Sequence, residues 1–392
     1  MKAKIMRDEA AGEQHTQELG KWKAWDEFLE SKANAGFRQS SWYAAFRVAY
    51  NGWKHFGTVL RDGETVVGGA VILTRSFTPE KCYYYIPDGP VLLEGDTDAE
   101  QEQVFRTIME FIEEKRQNEQ QVVSHLCINP RWEHVPSFVR GFQESSYYYG
   151  SPRDTQCIDL NSSESAILAQ MKPKGRYNVG VAQRHGVSVV EDVSPQGIED
   201  FLSIYEETFA RKGRHGLDPD YFHALIPMLS ASERGSIFFA EYQGTRLAAA
   251  LVVYFGRTAT YYHGGSRAIH RNVMAPYLLQ FEIMRKAKVL GCQCYDLFGV
   301  TPQSGPSTSN GWTDISVFKR KFGGRELRLV PTLEYIYDPI AYQEWKAKHG
   351  GDSHDLPLDR APLDSSFRPT QVLSDGLPAS ASVTAGVQAG NL

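Results

Sequence analysis

Residues Phe56 to Arg75 read FGTVLRDGETVVGGAVILTR, and residues Phe238 to Gly256 read FFAEYQGTRLAAALVVYFG. Each is an apolar strand, a Gly-bearing turn (Asp62-Gly63 and Gln243-Gly244) and a second, strongly apolar strand, the pattern of a β-hairpin. An aromatic strand follows each hairpin, at Cys82 to Tyr85 and at Ala259 to Tyr262. A helical period comes next: Val104, Ile108, Phe111 and Ile112 share one face in the first copy. Tyr277, Leu278, Phe281 and Met284 do so in the second, with Gly291 as a stop. Each helix leads to a further strand, at Val122 to Ile128 and at Cys294 to Phe298. The order hairpin, strand, helix, strand therefore occurs twice. A duplication of one α/β unit, each a mixed sheet flanked by helices, accounts for it.

Working outward, a helical segment lies between the copies. Asn161 to Glu164 resembles a capping box, and the helical pattern runs on to Gly186. Ser194-Pro195 and Asp218-Pro219 start two more helices, the first burying Ile198, Phe201, Leu202, Tyr205 and Phe209. The stretch from Gly350 is rich in Ser, Pro, Asp, Gly and Ala and reads as disordered. The expected division is an extension (1–17), a first unit (18–160) to which the end of the folded chain can return, a second unit (161–348) and a tail (349–392).

The 392 residues suit two domains of ordinary composition, 42% hydrophobic and 23% charged, with net charge −5. A polycation that coats nucleic acid is excluded, although local basic patches are not. Met1 to Gly20 has no apolar signal core, and Leu247 to Phe255, the longest dense apolar run, is too short to span a bilayer. The expectation is a cytoplasmic protein, with peripheral contact to the inner membrane face left open. Five cysteines, an odd number, argue for buried structural thiols and against a disulfide framework.

Three basic clusters stand out in an acidic chain: Lys172-Pro-Lys174-Gly-Arg176, Arg211-Lys212-Gly213-Arg214, and Lys319-Arg320-Lys321 before Phe322-Gly323-Gly324-Arg325. Each alone reads as a solvated face; together they point to an anionic, phosphate-bearing ligand. The coenzyme-A pyrophosphate pattern Arg/Gln-x-x-Gly-x-Gly/Ala is not met at Arg176 to Ala182, nor at Arg320 to Arg325. Phosphate-loop, dinucleotide, nucleophile-elbow and zinc-helix motifs are also missing, which disfavours metal and nucleoside-triphosphate chemistry. His263 reads as structural more readily than catalytic. Asp296 and Asp314 are carboxylates suited to an amine, and the Gly/Pro-rich stretch Gly299 to Asp314 suits either a lid or an idle loop.

These residues fall into an ordered series that resembles the FemABX peptidoglycan-bridge aminoacyltransferases. Gln39-Ser-Ser-Trp42, Tyr85-Ile-Pro-Asp-Gly-Pro90, Met171-Lys-Pro-Lys-Gly-Arg-Tyr-Asn-Val179, Tyr205-x-x-Thr208-x-x-Arg211 and Tyr261-Tyr-x-Gly-Gly-Ser266 carry it. So do Asn272-x-Met-Ala-Pro276, Tyr295-Asp-Leu-Phe-Gly-Val300 and Phe318-Lys-x-x-Phe-Gly-Gly324. The resemblance implies two tandem acetyltransferase-like domains, in the short form, because only a brief connection separates Arg211 from the strand at Ile237. It implies transfer of Gly, Ala or Ser from aminoacyl-tRNA to the stem-peptide amine of lipid II or UDP-MurNAc-pentapeptide, with no cofactor and no metal.

By the same resemblance Lys319 is the catalytic cation; without it, Lys319 reads as an exposed lysine at a strand end. Arg211, joined by Arg47, would meet the precursor's diphosphate, and Thr208, Tyr262 and Phe318 would line the site. Tyr85 and Asp88 would be first-domain wall residues; the family more often carries Arg where Asp88 stands. Charge alone assigns Lys172, Lys174, Arg176 and Lys321 to tRNA. Two other functions stay open: a coenzyme-A-dependent N-acyltransferase on the same fold, and a non-catalytic precursor- or RNA-binding protein.

Overall fold

A computed structural model describes residues 13–32, 35–93, 97–147, 149–150, 152–301 and 313–349. The expected tail from residue 350 on and residues 302–312 of the expected lid or loop lie outside them. In chain order the first half forms α1 (Glu13–Ser31), α2 (Ser41–Asn51), β1 (Lys54–Asp62), β2 (Thr65–Thr78), β3 (Lys81–Pro87), β4 (Val91–Leu92), α3 (Asp98–Gln117), β5 (Val122–Asn129), β6 (Gln143–Glu144) and β7 (Asp154–Asp159). Next come α4 (Glu164–Gln170), α5 (Pro173–Arg184), β8 (Ser188–Glu191), α6 (Pro195–Ala210), α7 (Pro219–Ala231), β9 (Gly235–Tyr242), β10 (Thr245–Phe255), β11 (Thr258–Ser266), α8 (Ala275–Val289) and β12 (Cys294–Gly299). The chain closes with α9 (Thr313–Lys319), β13 (Arg325–Arg328), β14 (Leu333–Ile336) and α10 (Pro339–His349).

The duplication is present. In the first sheet β1, β2 and β3 pair antiparallel, α3 crosses over, and β5 returns parallel to β3. In the second, β9, β10 and β11 pair antiparallel, α8 crosses over, and β12 returns parallel to β11. Each sheet is then extended by strands from elsewhere in the chain. The order is β1-β2-β3-β5-β14-β6 in one and β13-β7-β12-β11-β10-β9-β8 in the other. β7, on the N-terminal side of the expected boundary at 160, thus belongs to the second sheet, and β14 returns to the first.

Three apolar layers result. Val104, Ile108 and Ile112 of α3 cover one face of the first sheet. Leu278, Phe281 and Met284 of α8, with Val179 of α5, cover one face of the second. Between the sheets, Trp42, Phe46 and Tyr50 of α2 share a single cluster with Phe201 and Tyr205 of α6 and Tyr221, Phe222 and Leu225 of α7. The helical run expected from Asn161 to Gly186 is two helices instead. Pro173 has no N–H to donate and holds Lys172 extended, at φ −62° and ψ 149°. Ser163, not Asn161, is the cap, accepting from Ala166 N–H. All five cysteines are free thiols. Among the described residues no helix is long and apolar enough to cross a membrane.

The C-terminal return is fixed by a buried carboxyl group. Glu334, with 0% exposure, accepts from Ser145 Oγ (2.7 Å) and Tyr149 Oη (2.6 Å) at Oε1 and from Tyr342 Oη (2.5 Å) at Oε2. Tyr149 also stacks on Trp345 of α10 and meets His125 Nε2 at 2.9 Å. Burial, with a smaller push from His349, drives the His125 pKa down to about 3, so its imidazole is neutral in this network. Glu334→Ala leaves the buried Tyr149 and Tyr342 hydroxyls and the half-buried Ser145 hydroxyl without this acceptor and is expected to cost about 3 kcal/mol in urea unfolding. Glu344→Ala, which removes a half-exposed partner of Lys81, is expected to cost under about 1 kcal/mol. Equal costs for the two would refute the anchoring role of Glu334.

Candidate active site

Parallel strands share an end, and what happens there differs between the two copies. β3 and β5 stay paired to Pro87 and Asn129. β11 and β12 pair only at Thr258–Cys294, Ala259–Tyr295 and Thr260–Asp296, then part. Two irregularities accompany the parting. Leu251 faces His263 while Val252 faces Tyr261, so Tyr262 is an extra residue in β11. On the other side Asp296 faces Cys157 and Gly299 faces Thr155, and Phe298 in the excess holds φ at +62°. The bulge turns Tyr262 inward, where its ring meets Phe37 edge-on at 5.0 Å and Phe298 at 5.6 Å. His263 is enclosed by Tyr205, Tyr221, Phe222 and Tyr262, a packing role.

Lys319 enters this opening. It ends α9 and is 4% exposed, so it is neither on a strand nor on the surface. α9 is tied to the end of β12 by Thr301 N–H, which donates to Ser316 Oγ at 2.9 Å. The Lys319 ammonium donates to Gly299 O at 2.7 Å and lies 5.9 Å from the centre of the Tyr261 ring. Burial lowers its pKa to about 7; Asp296 opposes that shift and Lys212 adds to it.

Asp296 organises the same opening. Its Oδ1 accepts from Phe298 N–H (2.7 Å) and from the Thr155 hydroxyl, which holds the bulge that presents Gly299 O to Lys319. Its Oδ2 meets Arg131 Nη2 at 3.4 Å, beyond β5. Arg131 is buried against its own charge, yet Asp296 and Asp88 keep its pKa raised. Asp88 in turn holds Arg38 in a two-point pair, at 3.0 Å from Nε and 2.5 Å from Nη2. Burial also opposes the Arg38 charge, and Asp88 together with Tyr85 and Tyr43 outweighs it, holding the pKa well above its ordinary value. The Arg38 guanidinium lies 5.8 Å from the Phe298 ring centre. Arg38, Asp88, Arg131, Asp296 and Lys319 thus alternate in sign along the seam between the sheets.

The remaining expected residues fall into separate places. Thr208 and Arg211 converge on Ser266 at the far end of β11. Thr208 Oγ1 accepts from Ser266 N–H at 2.9 Å, and Arg211 Nη1 donates to Ser266 O at 3.0 Å. Gly265 allows this approach, since a Cβ there would stand 2.4 Å from Thr208 Oγ1. Phe318 turns away from Lys319 to pack on Tyr277 and Phe322. Arg47 is buried over the Trp53 ring at 4.2 Å, inside the first unit. Tyr85 is buried too, donating to Tyr149 O at 3.0 Å. Asp314 is exposed in the first turn of α9.

Lys172, Lys174 and Arg176 are exposed on and before α5, and Lys172 N–H donates to Lys321 O at 3.0 Å, which joins the four cations. Among the described residues no group of three or more His, Cys, Asp or Glu is placed to hold a metal ion.

Arg38 and Arg131 are the site residues that sequence reasoning missed. Arg38 directly precedes Gln39-Ser40-Ser41-Trp42, and Arg131 follows the carboxyl end of a parallel strand, where sites on α/β sheets gather. Both signals were legible.

The fold has known counterparts. The crystal structure of FemX shares the fold, with a TM-score of 0.73 at 16% identity, over 87% of this chain and 99% of that one. The lipid II:glycine glycyltransferase of Staphylococcus saprophyticus is 20% identical over 266 residues, 52% of this chain and 63% of that protein. That of Staphylococcus haemolyticus is 19% identical over 269 residues, covering 52% and 64%. The chain therefore spans less than two thirds of the length of these relatives. The model of the FemAB family matches residues 137–232 and 230–349. With more than half of its length so matched, the chain belongs to the FemAB family.

Proposed function

We propose that the chain is an aminoacyltransferase that moves an amino acid from aminoacyl-tRNA to the stem-peptide amine of a peptidoglycan precursor. The observation that carries this reading is the lysine buried where β11 and β12 part, with its ammonium on Gly299 O. The related glycyltransferases supply the acceptor class, lipid II, and a UDP-linked muramyl-pentapeptide offers the same amine.

The reaction needs little beyond alignment and charge. The acceptor nitrogen attacks the ester carbonyl carbon, and the carbonyl oxygen takes the electron pair. When the pair returns, the bond to the tRNA 3′-oxygen breaks, the nitrogen gives up a proton and the 3′-oxygen gains one. Lys319 faces the developing oxyanion in a site shielded from water, where one fixed cation is worth far more than on the surface. Arg211, held at Ser266 but still exposed, meets the precursor's diphosphate. Thr208 and Tyr262 shape the acceptor side, Phe318 fixes the end of α9 through Tyr277 and Phe322, and Tyr85 and Asp88 form the first-unit wall, while Arg47, buried on Trp53, is left out of the diphosphate contact. The tRNA acceptor arm lies along Lys172, Lys174, Arg176 and Lys321.

Incubating the protein with bulk charged tRNA carrying labelled amino acids, and with lipid II or the UDP-linked pentapeptide, is expected to give labelled precursor. Saturable binding of acetyl-coenzyme A with no such transfer would establish the acyl-coenzyme-A alternative instead. Precursor binding with neither would leave a binding protein.

A pH dependence also follows. The lysine acts as the ammonium, so transfer is expected to fall as pH rises through about 7, where Lys319 loses its proton. The carboxylate of Asp296 supports that charge, so Asp296→Asn is expected to move the falling limb to lower pH. A limb unmoved by Asp296→Asn, in a variant that keeps its melting midpoint, would separate Asp296 from Lys319.

A further inference from the structure

The exposed face of α5 carries more than charge. Lys174, Tyr177, Gly180 and Arg184 follow one another at helical spacing along it. Tyr177 is 61% exposed, an unusual setting for an aromatic ring in the middle of a helix. Lys174 Nζ lies 6.0 Å and the Arg184 guanidinium 5.9 Å from its ring centre, so cations flank the ring. Gly180 is costly inside a helix, and packing does not demand it. A Cβ there would meet only the mobile end of Arg184, at 3.1 Å. The glycine leaves room for the Arg184 guanidinium beside the tyrosine. Helix α5 contains no acidic residue, and Lys172 and Lys321 extend the positive surface to within two residues of Lys319.

We infer that Tyr177 is a stacking platform for an unpaired nucleobase of the RNA that α5 receives. An exposed ring between cations fits a base face above and phosphates around it. Paired RNA keeps its base faces hidden, so the platform selects the single-stranded 3′ end over the duplex. This inference rests on the reading of α5 as the RNA surface, and it adds a residue whose contribution charge cannot mimic.

The test compares two RNA hairpins, one with an unpaired 3′ tail and one blunt, by fluorescence anisotropy at fixed salt. The native protein is expected to prefer the tailed hairpin. Tyr177→Ala is expected to erase that preference, with a loss of about tenfold on the tailed hairpin alone. Tyr177→Trp is expected to restore it, and Gly180→Leu, which displaces the Arg184 guanidinium from beside the ring, to reduce it. Lys174→Ala is expected to weaken both hairpins alike. Tailed and blunt hairpins bound by Tyr177→Ala with the native preference would overturn the platform and leave the RNA surface standing. Binding of neither hairpin by the native protein would overturn both. Tyr177 is exposed, so an unchanged melting midpoint is expected for its variants.

Discussion

Holding a lysine out of water is the constraint around which the second sheet is built. An ammonium in an apolar setting costs several kcal/mol unless its protons and charge are met. Gly299 O supplies one acceptor, and Asp296 supplies the opposing charge. Gly299 O faces Lys319 because β12 bulges, and β12 bulges where Asp296 takes the Phe298 N–H. The positive φ of Phe298 is the local cost of that arrangement. Strand pairing, bulge, carboxylate and lysine are thus one unit.

That unit also explains how the two copies differ. Both sheets follow one topology, yet β3 and β5 remain zipped while β11 and β12 open. The closed end of the first sheet offers side chains: Arg38, Asp88 and Arg131 reach the seam and continue the alternation of charge to Asp296. In the proposed function the first unit is a wall to a site that the second unit opens. The inner cluster shared by α2, α6 and α7 keeps the two in register.

Much of this was legible in the sequence. The hairpins, the crossover helices and the twofold order follow from apolar periodicity and from Gly63 and Gly244, because local chemistry sets those elements. The extra strands followed only in part: the end of the folded chain was expected to be able to return to the first unit, but the strands themselves and the place of β7 in the second sheet were not. β7 and β14 are short and bordered by loops, and their places depend on which sheet edge offers partners, a non-local matter. Among the site residues, Lys319 was identifiable only through resemblance, since nothing in Phe318-Lys319-Arg320 tells a buried lysine from an exposed one. Its helix and its burial come from the closure of α9 onto Thr301. Arg47 shows the converse. The resemblance set it beside Arg211, while the structure lays it on Trp53. Tyr177 was quoted within a motif, but only its exposure gave it meaning.

Lys319→Met is the most direct probe of this account, because it removes the charge and keeps the shape, and replacing a buried charge with an apolar isostere is usually tolerated by the fold. Single-turnover transfer and precursor affinity are measured side by side in the native protein and the variant. With Lys319 at the oxyanion, transfer is expected to fall by about 10²-fold or more while affinity holds. Transfer within about threefold of native, or a loss confined to affinity, would contradict that role for Lys319.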